Sequence, residues 1–176
     1  DKLRSFDILE FLSKKNQVDL VCLGEKENLP EKNLNFCKNI KIFHQNFLIR
    51  IFNGIFSFLR LEPLQNGFYL SHQMKNYINN VESEYDSIVC HLLRSSQYLP
   101  KKFKGKKILE MTDLQSLAYE NLIKQLSFIN PLKYIYIAEK LLVSRYEKKI
   151  FTKFNNIVFV SKKDSIKAKN KISKKN

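Results

Sequence analysis

The stretch KKILEMTDLQSLAYENLIKQL, residues 106–126, decides the fold class. Its first part, KKILEMTD (106–113), reads as a strand. Its second, DLQSLAYENLIKQL (113–126), reads as the helix that follows, with Asp113 at the junction. A strand that hands over to a helix at an acidic residue is the building unit of an open α/β sheet.

The same alternation extends in both directions. LRSFDILEFLSK (3–14) places Leu3, Phe6, Leu9 and Leu12 on one helical face. VDLVCLG (18–24) is a short apolar run ending in Gly, as expected of a buried parallel strand. EKENLPEKN (25–33) reads as loop and NIKIFHQ (39–45) as a second, weaker strand. SHQMKNYINNVESE (71–84) is an amphipathic helix with a Ser N-cap, leading into a strand at YDSIVCHL (85–92). PLKYIYIAEKLLVSRYEKKIF (131–151) opens with Pro at a first helical position, and NIVFVS (156–161) is the last strand.

These signals predict a doubly wound, mostly parallel α/β sheet over 1–160, followed by a basic tail or truncated helix over 161–176. Such a domain normally opens on a strand that feeds the first helix. Here a helix comes first, so the expectation is an internal fragment lacking its first strand.

FLIRIFNGIFSFLRL (47–61) reads as a helix with a broad apolar side interrupted by Arg50 and Arg60. Packing on a sheet is the expected use of such a helix. The alternative is that it lies on an anionic membrane surface.

Composition bounds the function. The 176 residues carry a net charge of +14 and a pI near 9.7, with 44% hydrophobic and 27% charged residues. That charge predicts attraction to phosphate-rich surfaces: nucleic acid, anionic lipid or phosphorylated substrates. Lys and Asn are abundant throughout, so part of the charge is also explained as solvated lysine. Cys22, Cys37 and Cys90 lack any paired spacing and are expected to be reduced thiols of a cytoplasmic protein. His44, His72 and His91 do not fall at metal-ligand spacing with them, so no structural zinc is expected. No apolar run approaches the roughly 20 residues that span a bilayer. GxSxG, GxxxxGK[ST] and GxGxxG are all absent.

In open α/β sheets ligands bind outside the carboxyl ends of the strands. That rule selects His91 and Arg94 after the third strand, Asp113 and Ser116 after KKILEMT, and Ser161 with Asp164 after the last strand. Asp1, Lys2 and Arg4 join them, because the first helix should start from the same edge. A helix N-terminus with Lys and Arg can hold an anion. Each residue also has a plainer reading: Asp1 and Asp113 as N-caps, Lys2 and Arg4 as a solvated turn, His91 as a satisfied strand-end histidine.

The residues now carry a resemblance. DKLRSFDILEFLSKKNQVDLVCLG, YDSIVCHLLRSSQYL, KKILEMTDLQSLAYE and AEKLLVSRYEKKIFTKFNNIVFVSKKD, in that order, resemble the N-terminal domain of family 4-type glycosyltransferases with the GT-B fold, especially bacterial exopolysaccharide sugar transferases. The resemblance covers nearly the whole chain. It implies one Rossmann-like half of a GT-B enzyme, the half that binds the acceptor. The other half, absent here, would take a nucleotide-sugar co-substrate. Such enzymes usually retain anomeric configuration, with no bound cofactor or metal. The acceptor would be a glycan or lipid-linked, with no specific nucleic acid partner. The implied setting is cytoplasmic, with peripheral contact at the inner face of the cell membrane.

On that resemblance His91 and Asp113 handle protons, while Asp1, Lys2, Arg4, Arg94, Ser116 and Ser161 bind acceptor or phosphate. Glu139 and Glu147 on the long helix are expected to be structural. The Gly-rich first loop and the donor half with its paired glutamates are missing, and Glu120 stands where a basic residue is expected. This fragment alone is expected to be inactive. Two rival expectations stand beside it: a non-catalytic basic α/β module that binds nucleic acid or other polyanions, and a different Rossmann-like enzyme such as a nucleotide-sugar epimerase.

Overall fold

Strand–helix alternation is what the computed structural model contains; it describes residues 2–24 and 34–173. In chain order these form α1 (Lys2–Ser13), β1 (Val18–Leu23), β2 (Cys37–Phe43), α2 (Phe47–Leu59), α3 (Leu64–Phe68), α4 (His72–Val81), β3 (Ser87–His91), β4 (Lys106–Met111), α5 (Gln115–Gln125), α6 (Pro131–Phe151), β5 (Asn156–Phe159) and α7 (Lys162–Ser173). Segment 25–33, expected to be loop, lies outside the described residues.

Local chemistry explains most boundaries. The Ser71 side chain accepts from Met74 N and starts α4, and Pro131 opens α6 behind an Asn130 cap. Two short elements escaped the sequence pattern: the five-residue α3 and a 3-10 turn over Leu93–Tyr98. Both are too short for a helical period to show.

Among the described residues all strand pairings are parallel, in two sheets rather than one. β1 pairs with β2, and β4 lies between β3 and β5. The chain is therefore α/β with parallel sheets, consistent with a Rossmann-like arrangement. Tyr85, two residues before β3, bridges to β1: its hydroxyl donates to Asp19 Oδ2 at 2.6 Å. Burial pushes the Asp19 carboxyl up, but hydrogen bonds from Tyr85 and Asn39 outweigh it and hold the group below its ordinary value.

Register organises the larger sheet. Cys90 on β3 faces Leu109 on β4, and His91 faces Glu110. Alternation puts Cys90, Leu109 and Met111 on one face, where they meet Val143, Ile150, Phe151 and Ala168 of α6 and α7 in the main core. Ala168 is 3% exposed, so the basic segment after residue 160 is a helix packed on the core. On the other face Val89 and Val158 are 37% and 48% exposed.

α2 corrects an expectation. It does not pack its apolar side on a sheet: its buried residues are Gly54 and Ser57, and its Phe, Ile and Leu side chains, the half-buried Phe58 excepted, are exposed. Among the described residues its main contact is with α3, where small residues permit close approach. A Cβ on Gly67 would stand 2.0 Å from the Asn53 carbonyl oxygen.

Candidate functional site

The carboxyl ends of β3 and β4 gather four side chains. His91 closes β3, and its register partner Glu110 is the penultimate residue of β4, so both point to the same face. The first turn of α1 brings Arg4 and Ser5 onto them. Glu110 is 5% exposed and accepts from both Arg4 Nη2 and His91 Nδ1, while Ser5 Oγ lies 3.0 Å from His91 Nε2. A buried carboxylate needs such partners, since an isolated one would be costly to desolvate.

This pattern assigns the imidazole. In a neutral ring, the Glu110 carboxylate on Nδ1 favours the proton there and leaves Nε2 as the acceptor. Nε2 can then receive a proton from a hydroxyl, Ser5's own or that of a ligand displacing it. The order hydroxyl, imidazole, carboxylate also serves nucleophilic serines. Here the carboxylate is shared with a guanidinium, and Ser5 sits half-buried within a helical turn. The arrangement suits a base and its positioning groups.

The residues that follow His91 and Glu110 in the chain line a cleft of about 240 Å³, whose walls include Gln65, Leu92, Arg94, Thr112, Asp113 and Gln115. Leu92 holds φ 68 and ψ 157, a conformation normally left to glycine. Its N–H donates to the Glu110 carbonyl at 2.7 Å, which pins the chain as it leaves β3. Thr112 Oγ1, Gln65 Nε2 and Arg4 Nη1 are buried with no hydrogen-bond partner among the described residues. Buried polar atoms are usually paired, so these three stand out; Gln65 and Thr112 also belong to residues that line the cleft.

The expected site residues divide. Arg4 and His91 meet each other through Glu110, so Arg4 is an ion-pair partner with one free nitrogen rather than a bare phosphate ligand. Arg94 lines the cleft with its guanidinium stacked over the Tyr69 ring, 4.4 Å from the centroid. Asp113 is exposed on the cleft wall, and its reading as an N-cap is corrected: Leu114 holds that position, without a side-chain bond.

Ser116 is also corrected. It is 3% exposed and bound into a buried network: its N–H donates to Glu147 Oε1 at 3.1 Å, and Lys171 Nζ donates to its Oγ at 2.6 Å. Ser161 starts α7, its carbonyl accepting from Ser165 N. Asp1 and the side chain of Lys2 lie outside the described residues.

The long helix behaves as expected. Glu147 is fully buried, ion-paired to Lys171, and holds the first turn of α5. Glu139 accepts from Leu64 N at 3.0 Å at the start of α3. Burial raises its carboxyl above the ordinary 4.5, against backbone hydrogen bonds from Leu64 and Gln65. Glu120 pairs with Lys124 and Lys140 on the surface.

Sequence reasoning passed over Glu110, Ser5, Thr112 and Gln65. For Glu110 a signal existed: an acid set between Leu109 and Met111 in the apolar second half of the strand, one residue before its end. Cys90 is a buried thiol pushed up to about 12 by burial, which favours the thiol over the thiolate. Among the described residues no group of three or more His, Cys, Asp or Glu is placed to hold a metal. No family model, no curated protein and no solved structure matches the chain.

Proposed function

We propose that this chain is the acceptor-side half of a GT-B glycosyltransferase that moves a sugar from a nucleotide-sugar donor to a glycan or lipid-linked acceptor in cell-surface polysaccharide synthesis. One observation carries the reading: Arg4, Ser5, His91 and Glu110 converge at the carboxyl edge of a parallel sheet, and the residues that follow His91 and Glu110 in the chain line a cleft. In this reading His91 Nε2 takes the proton of the acceptor hydroxyl, with Glu110 holding the ring. Thr112, Gln65 and Asp113 orient the acceptor's other hydroxyls. Arg94 offsets charge developing on the leaving nucleoside diphosphate, and Arg4 holds Glu110 in place. The donor half lies outside this chain.

The test is transfer from a panel of nucleotide sugars, in the protein that joins this chain to its donor half. His91→Gln should lower kcat by about 100-fold or more, the range of general-base loss, with KM little changed. Arg94→Ala should raise KM for the acceptor or weaken product-diphosphate binding. Undiminished turnover in His91→Gln would remove the base. Failure of every nucleotide sugar, together with polyanion binding that falls steeply with salt, would favour the basic module that the +14 charge also fits.

A further inference from the structure

We infer that α2 is a membrane-docking helix that seats the protein on an anionic lipid surface. This stands on exposure and charge alone, whatever reaction the cleft performs.

The helix is arranged opposite to a core helix. Phe47, Leu48, Phe52, Ile55, Phe56 and Leu59 are each between 52% and 72% exposed. Leu48, Phe52, Ile55 and Leu59 follow one another at i, i+4, i+7 and i+11, a continuous stripe. The side turned inward carries Gly54 and Ser57, packed on Gly67 of α3, and Ser57 Oγ donates to the Pro63 carbonyl at 3.1 Å. Small residues inward and large apolar ones outward form a firmly held, convex ridge. Contiguous apolar surface of this kind marks a contact site.

Charge selects the occupant. Residues 44–61 contain no Asp or Glu, and their two arginines lie along aromatic rings: Arg60 over Phe56 at 4.1 Å and Arg50 over Phe68 at 4.2 Å. Long cationic side chains lying along apolar rings can keep their heads in the headgroup layer while the rings enter the acyl boundary. A second copy of the chain would bring +14 against +14. An anionic bilayer instead meets the charge with its complement. The helix has 13 residues, about 20 Å at 1.5 Å each, and among the described residues no helix is long and apolar enough to cross a membrane. α2 therefore lies on the surface. Its packing partner α3 carries Gln65 of the cleft, so docking would hold that cleft close to the lipid headgroups.

Co-sedimentation of the chain with vesicles tests this, using phosphatidylcholine alone and phosphatidylcholine with about one-third phosphatidylglycerol. Binding is expected to the anionic vesicles, falling as salt rises. Phe52→Glu/Ile55→Glu should weaken it at least 10-fold with an unchanged thermal melt, because both residues are exposed. Arg50→Gln/Arg60→Gln should weaken it less. No binding to anionic vesicles would overturn the inference, as would equal binding by the Phe52→Glu/Ile55→Glu variant, which would leave only diffuse lysine attraction. A concentration-dependent dimer abolished by that variant, with no vesicle binding, would assign the ridge to a second copy.

Discussion

His91 and Glu110 are register partners on adjacent parallel strands, and the Nδ1 of one donates to the Oε2 of the other. Nineteen residues separate them, and only strand pairing makes them neighbours. Glu110 also binds Arg4, 106 residues away, so three segments of chain meet on one buried carboxylate. The consequence is energetic as well as chemical, because removing one partner exposes the cost of the other.

Arg4→Met should therefore destabilise the fold by about 3 kcal/mol, leaving a buried carboxylate held by an imidazole alone. Arg4→Met/Glu110→Met should recover most of that loss, since replacing both partners by apolar groups is often near neutral. Urea denaturation of the two single variants and the double decides it. Additive losses would mean the two side chains are energetically independent.

The Glu147–Lys171 pair should behave similarly at the other end of the core. Lys171→Met leaves Glu147, fully buried, with only the Ser116 N–H, and is expected to cost about 3 kcal/mol. Because Lys171 sits on α7, amide exchange there should accelerate before exchange in β4 does. Uniform acceleration across the sheet would show that α7 does not open separately.

Leu92 offers a test of stored strain. Glycine normally destabilises relative to alanine, but at φ 68 and ψ 157 the order should reverse. Leu92→Gly is expected to be about 1 kcal/mol more stable than Leu92→Ala by thermal or urea melting. A more stable alanine variant would mean the backbone relaxes there at no cost.

Glu139 sets a pH dependence. Burial raises its carboxyl above 4.5, so below that value the group is neutral folded or unfolded and costs nothing. As pH rises from 4.5 through the raised folded value, the unfolded chain ionises first and wild-type stability falls. Glu139→Gln, whose amide oxygen can still accept from Leu64, should lack this loss. The stability of the variant relative to wild type should climb over that window and then level off. A gap that shrinks with rising pH would show that the carboxylate's bonds to α3 outweigh its burial.

Much of the framework was legible in the chain. The strand at 106–111, the helix bounds 131–151, the Ser71 cap and the Pro131 start all follow from spacing, capping and backbone preference, which act within a few residues. The strand-end rule also placed His91, Arg94 and Asp113 at one edge. It could not tell Ser116 from a cleft residue, because its burial depends on Lys171, 55 residues later. Nor did it find Gln65, which reaches the cleft from a helix too short to leave a periodic signal.

α2 marks the boundary between the two kinds of information. Its sequence determined an amphipathic helix and its apolar stripe, because periodicity is a property of the segment. Which way the stripe faces was decided by tertiary structure: Gly54, Ser57 and Gly67 allow a backbone approach that no larger side chain would permit, and that approach turns the large residues outward. The same division runs through the site. The sequence by itself set each charged residue at a strand end or helix start, through local backbone preference. Folding chose which of them share the Glu110 carboxylate, because burying a charge costs free energy unless distant segments bring its partners to it.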